Sequence, residues 1–120
     1  RAHDMLIGKV PFNAAAIFKG CTSGIEDCNA VVAVLDGPDP DSGTCWECGY
    51  AWKCGKPIVG VRTDFRTGGD DGDRPVNLML ARCCTDFVVA DMRNTSVADL
   101  AKTISETLSR LSAAQAKPIE

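Results

Sequence analysis

Residues 30–51 read Ala30-Val-Val-Ala-Val-Leu35, then Asp36-Gly-Pro-Asp-Pro-Asp41, then Ser42-Gly-Thr-Cys-Trp-Glu47-Cys-Gly-Tyr-Ala51. The first six are apolar and rich in valine, as a buried strand requires. The next six carry two prolines and a glycine and read as a loop. Residues 44–53 then read as a helix, with Gly55 as its C-terminal stop. Strand, turn and helix in that order form the unit of an open α/β sheet, whose ligands bind where strands end and helices begin. Asp41 and Glu47 fall at that junction. Paired carboxylates are equipment for acid/base or nucleophilic work on a sugar.

The flanking sequence extends the pattern. Residues 12–21 are alanine-rich with helical spacing, and 25–29 lead into the strand. Residues 57–61 and 87–90 read as further short strands, and 76–82 as a helix between them. Val97, Leu100, Ala101, Ile104, Leu108 and Leu111 fall on one helical face, with Ser96 as N-cap and a tail from 113 expected to fray. Strands alternating with helices predict a parallel sheet covered on its faces by helices. The polar stretch 62–74 has the length of a functional or mobile loop. Arg62, Asp64 and Arg66, just past a strand end, are candidates to border a pocket or an interface.

The chain of 120 residues is long enough for one domain, taken here as residues 1–120. With 13 basic and 16 acidic residues its net charge is −3, which argues against nucleic acid as a partner. No apolar run is long enough for a bilayer and no secretory leader opens the chain, so the expected compartment is the cytoplasm, with no membrane partner. Seven cysteines, an odd number without a leader, argue against a disulfide scaffold. Cys45-x2-Cys48-x5-Cys54 and Cys83-Cys84 admit a metal or dithiol reading, but cysteines in apolar helical stretches act as small hydrophobes. Neither metal nor cofactor is expected. Asp70, Asp71 and Asp73 do not follow calcium-loop spacing. Cys45, nearest the helix N-terminus, is the thiol expected to be acidified. Trp46, Tyr50 and Trp52 read as core or interface aromatics.

Glu47 has two readings. Thr44-x-x-Glu47 is the spacing of a capping box, in which both side chains satisfy backbone amides at a helix start and Asp41 is a turn residue. Alternatively, Gly43 allows close backbone approach, the helix N-terminus favours an anionic carboxylate, and Glu47 attacks an anomeric carbon. The single histidine, His3, is far away in sequence, so carboxylates are the natural catalytic groups.

Asp41-Ser-Gly-Thr-x-Trp-Glu47-x-Gly-Tyr-Ala51, followed by Gly55-Lys-Pro-Ile-Val59 and Pro75-Val-Asn-Leu-Met79, resembles the nucleoside 2-deoxyribosyltransferase family. The resemblance runs in order over residues 25–89, about half the chain. It implies a Rossmann-like (flavodoxin-like), doubly wound parallel sheet. It implies that Glu47 is the nucleophile at C1′ of a deoxyribose and that Asp41 lines the sugar and base site. Asn77 and Met79 match residues that reach into a neighbouring subunit's site, which implies a homo-oligomer, at least a dimer. The substrates implied are a small-molecule nucleoside and a nucleobase. A related branch hydrolyses 2′-deoxynucleoside 5′-monophosphates and has serines where this chain has Asp41 and Asn77. Asp41 would repel a phosphate dianion and suits a 5′-hydroxyl, which favours the free nucleoside.

Two departures qualify the resemblance. Ungapped counting puts Cys21 where the family has an aspartate involved in base protonation, and a thiol is a poorer proton donor. This keeps a third possibility in view, a nucleoside-binding protein with impaired turnover. The family's opening strand and base-covering loop have no counterpart before Phe12, so the sheet is expected to lack its N-terminal strand or strands in this chain.

Overall fold

The computed structural model describes residues 12–64 and 76–116. His3, Arg66, Asp70, Asp71 and Asp73 lie outside the described residues. The elements are α1 (Ala14–Asp27), β1 (Val31–Val34), α2 (Ser42–Lys53), β2 (Ile58–Arg62), α3 (Leu78–Cys83), β3 (Asp86–Val89) and α4 (Val97–Ala116). The strands form one parallel sheet in the order β1-β2-β3. Val31 pairs with Ile58 and Val34 with Val61; Val59 pairs with Asp86 and Arg62 with Val89. Every residue of the central strand β2 is buried.

The pleat divides β2 between two cores. On one face Ile58 joins Ala33 and Leu35 beneath Ile25 of α1 and Cys48 and Ala51 of α2, with Leu80, Ala81 and Cys83 of α3 packed against them. On the other, Val59, Val61 and Val88 meet Leu100, Ile104, Leu108 and Leu111 of α4. Helices thus cover both faces, the α/β doubly wound arrangement expected from the alternating pattern. Val97 was placed on the packing face by its spacing, yet it is 74% exposed. Thr107, a polar residue that periodicity passes over, is buried, and its hydroxyl donates to the Thr103 carbonyl at 2.8 Å.

Helix boundaries follow local chemistry. Asn13 starts α1 by accepting the Ala16 amide at 3.0 Å. The helix continues past residue 21 to Asp27, through glycines and hydroxyls of weak propensity, because Ile25 is buried in the core. Thr22 is accommodated by donating back to the Phe18 and Lys19 carbonyls. Ser96 caps α4 as its spacing predicts, accepting the Asp99 amide at 3.1 Å. That helix passes the expected fraying point at residue 113 and runs to Ala116.

A polar clasp fixes the segment between β1 and α2. Asp36 accepts the Thr63 amide at 2.6 Å and the Asp64 amide at 3.2 Å, and also the Thr63 hydroxyl. Arg62, 1% exposed, donates through Nη1 to the carbonyls of Leu35 (2.5 Å) and Gly37 (2.9 Å). Asp64 accepts the Gly37 amide at 3.1 Å. Arg62 and Asp64 therefore hold the loop that leads to Asp41.

Gly60 lies at the centre of β2 because Cys84 and Phe87 cross above it. A Cβ there would meet Cys84 Sγ and the Phe87 ring at 2.8 Å. Gly60→Ala is expected to destabilise the fold by about 1–3 kcal/mol through overpacking, read as a lower urea midpoint with an unchanged m-value.

Candidate active site

Asp41 is the N-cap of α2. Its Oδ2 accepts the Thr44 amide at 3.0 Å and the Thr44 hydroxyl at 3.2 Å. A Cβ on Gly43 would lie 3.2 Å from the same oxygen, so glycine gives the carboxylate room to fold back over the helix end. The capping box expected between Thr44 and Glu47 does not form, since Thr44 lies inside the helix and donates to Asp41. Glu47 is thereby left out of the cap. It sits in the second turn of α2, beyond the first turn in which the helix-end dipole acts.

Glu47 is half-buried and lines a cavity of about 220 Å³ between α1, β1 and α2. Its companions are Ile25, residues 31–34 of β1, Thr44 and Cys48. Its walls are therefore apolar except on the α2 side. The helix that carries Glu47 is also tied to α1. Trp46 stacks on Tyr50 at 5.3 Å and meets the edge of Phe18 at 5.4 Å. The Tyr50 hydroxyl donates to the Glu26 carboxylate, which pushes the phenol pKa up to about 12, chiefly through that hydrogen bond.

Asn77 and Met79 lie elsewhere. Asn77 caps α3 by accepting the Met79 amide at 2.8 Å. Both line a second cavity of about 630 Å³, together with Cys45, Trp52, Arg82 and Cys83 among others, and Glu47 is not among its walls. Met79 is 72% exposed. Cys21 is exposed on α1 and lines neither cavity. The fold therefore gathers Asp41, Gly43, Thr44 and Glu47 at one helix start; Asn77 and Met79 face the other side of that start, across a cavity they share with Asp39, Pro40 and Cys45, and neither they nor Cys21 line the Glu47 cavity. Of the cavity's walls the sequence reading had named only Glu47 as a site residue; Thr44, Ile25, Cys48 and residues 31–34 were not among its candidates. The Asp41-x-x-Thr44 spacing, itself a cap signature, was the available signal for Thr44.

Burial holds Cys45, Cys48 and Cys84 in the thiol form. The expected acidification of Cys45 is reversed: burial raises its pKa, and the negative charges of Asp41 and Asp39 raise it further. Burial, with help from the neighbouring Cys83 and Cys45 thiols, pushes Cys48 up to about 12. Cys84 is likewise pushed up to about 12, burial again leading. Among the described residues no group of three or more His, Cys, Asp or Glu side chains is placed to hold a metal ion.

The sequence pattern of nucleoside 2-deoxyribosyltransferases matches residues 4–79, more than half of the chain. The chain belongs to the nucleoside 2-deoxyribosyltransferase family. Among solved structures it is similar to a 2-desoxiribosyltransferase from Leishmania mexicana, with 28% identity and a TM-score of 0.57 over 79% of this chain and 70% of that one. No curated protein matches it. The family match spans the stretch from Asp41 to Glu47 as well as Asn77 and Met79, which are the residues that carry the resemblance in the sequence. The Glu47 cavity runs along β1 beside the first two turns of α2.

Two measurements check this geometry. Asp41→Ala is expected to cost about 1 kcal/mol in denaturant unfolding, through loss of the α2 cap. Iodoacetamide at pH 8 is expected to alkylate the exposed Cys21 and Cys54 first, and Cys48 and Cys84 last, as followed by peptide mass spectrometry.

Proposed function

We propose that this chain transfers 2-deoxyribose between nucleobases. The observation that carries the reading is Glu47, a half-buried carboxylate in an otherwise mostly apolar cavity beside β1. A Glu47 oxygen forms a bond to C1′ as the N-glycosidic bond breaks. The electron pair of that bond goes to the base nitrogen, and the base leaves with a proton taken up from its surroundings. A nitrogen of the acceptor base then attacks C1′, gives up its proton to the surroundings, and returns Glu47 as a free carboxylate. Two displacements retain the configuration at C1′.

Asp41 serves the sugar end of the site. One carboxylate oxygen is held by Thr44, and the other is available to the 5′-hydroxyl. An anion at that position disfavours a 5′-phosphate, which places the nucleotide N-glycosidase behind the transferase. Asn77 and Met79 act on a neighbouring subunit's site, in a dimer or larger homo-oligomer. Their separation from Glu47 within one chain and the exposure of Met79 support this role. The reaction as written needs no metal or cofactor. We place it in one domain working on small molecules in the cytoplasm, without nucleic acid or membrane. No helix among the described residues is long and apolar enough to cross a bilayer.

One observation favours a second reading. Cys21 is exposed and lines neither cavity, so it offers no proton to a departing base. A nucleoside-binding protein with impaired turnover would follow. The deciding experiment is base exchange from deoxyadenosine, deoxyinosine and deoxycytidine, followed by HPLC with and without an acceptor base. A new nucleoside that forms only with acceptor is expected, and Glu47→Gln should lower its rate by roughly a thousandfold or more. Free base without exchange would indicate a hydrolase. Binding without turnover would indicate the impaired protein.

A further inference from the structure

Among the described residues, the cavity that holds Glu47 has one other oxygen-bearing side chain in its walls, Thr44; the rest are Ile25, residues 31–34 and Cys48. Thr44 precedes Glu47 by three residues and shares its helix face, with Cβ atoms about 5–6 Å apart at that spacing. A threonine hydroxyl has one proton and two lone pairs. The Thr44 proton is committed to Asp41 Oδ2 at 3.2 Å. Toward a ligand in the cavity the hydroxyl can therefore only accept. The anionic partner behind it polarises the oxygen and makes it a better acceptor.

We propose that Thr44 binds the sugar by accepting a hydrogen bond from the 3′-hydroxyl of the deoxyribose. The assignment rests on Glu47 being the nucleophile at C1′, as proposed above. A 2′-deoxynucleoside carries two free hydroxyls. The 5′-hydroxyl goes to Asp41, which leaves the 3′-hydroxyl, a donor, facing a cavity whose side-chain oxygens, among the described residues, are those of Thr44 and Glu47. A bond from that hydroxyl to Glu47 would draw electron density from the attacking oxygen and slow the displacement. Thr44 takes the bond instead and leaves Glu47 free to attack. Asp41 thus acts on the sugar twice, directly at one end and through the Thr44 hydroxyl at the other.

The test is a cycle between protein and substrate. Wild type, Thr44→Ser, Thr44→Val and Thr44→Ala are each assayed for base exchange with a 2′-deoxynucleoside, its 2′,3′-dideoxy analogue and its 2′,5′-dideoxy analogue. Loss of the 3′-hydroxyl is expected to lower wild-type kcat/KM roughly tenfold, and Thr44→Val to lower it by a similar factor on the full substrate. The two losses should not multiply: Thr44→Val should treat the 2′,3′-dideoxy analogue as wild type does. Thr44→Ser should keep most of the activity, and loss of the 5′-hydroxyl should cost all four proteins alike. Thermal melts confirm that each variant is folded, and Thr44→Ala takes the place of Thr44→Val if the latter does not fold. Multiplying losses, or coupling of Thr44 to the 5′-hydroxyl, would overturn the assignment while leaving the transferase reading intact. If wild type binds deoxynucleosides without turning them over, the same cycle is read on dissociation constants. Neither turnover nor binding in wild type would overturn the proposed function and this assignment together.

Discussion

The clasp between Asp36 and the residues that end β2 is the constraint on which the site depends. A six-residue loop with two prolines leads from the strand to the start of α2, and it contributes no side chain to the buried core around β1 and β2. Its place is set by polar groups: one buried guanidinium on two carbonyls, and two carboxylates on three amides. Hydrogen bonds of this kind, several of them with a charged partner, are stronger than neutral ones, and a buried Arg62 deprived of these carbonyls would be costly. The clasp fixes Asp41. Asp41 fixes the first turn of α2, and that turn sets where Glu47 falls.

The strands were legible because a buried parallel strand has little choice of composition. Residues 31–34, 58–62 and 86–89 came within a residue or so of their sequence reading. The C-terminal helix was legible for the complementary reason, a long amphipathic stripe with a serine cap. α1 was read too short because residues 20–24 are poor helix formers locally, and only the burial of Ile25 shows why the helix continues. The clasp was not legible at all. Arg62 and Asp64 looked like pocket or interface residues because nothing in a linear sequence shows that they face Asp36 and Gly37 across 25 or more positions.

The helix start that carries the candidate site was legible in its residues, but its capping was not settled by them. Asp41, Gly43 and Glu47 were drawn to one helix start by spacing alone, and the fold gathers them there. Which carboxylate does the capping was left open, since two overlapping cap patterns share Thr44 and a sequence does not rank them; the structure gives the cap to Asp41. That separates two jobs that the capping box would have merged. Asp41 bears the structural load at the helix end, and Glu47 carries none. A carboxylate relieved of capping keeps its lone pairs for whatever enters the cavity.

Cys48 follows Glu47 directly and is 1% exposed beneath α2. Adjacent residues on a helix differ by about 100° in direction. The depth to which the small thiol sinks therefore sets the compass bearing of the carboxylate beside it. A larger group at that position would have to turn or lift the helix against β1, and Glu47 would move along the cavity wall with it. The residue that aims the carboxylate is thus the thiol at the base of the same cavity, and it reads in the sequence as an ordinary core position.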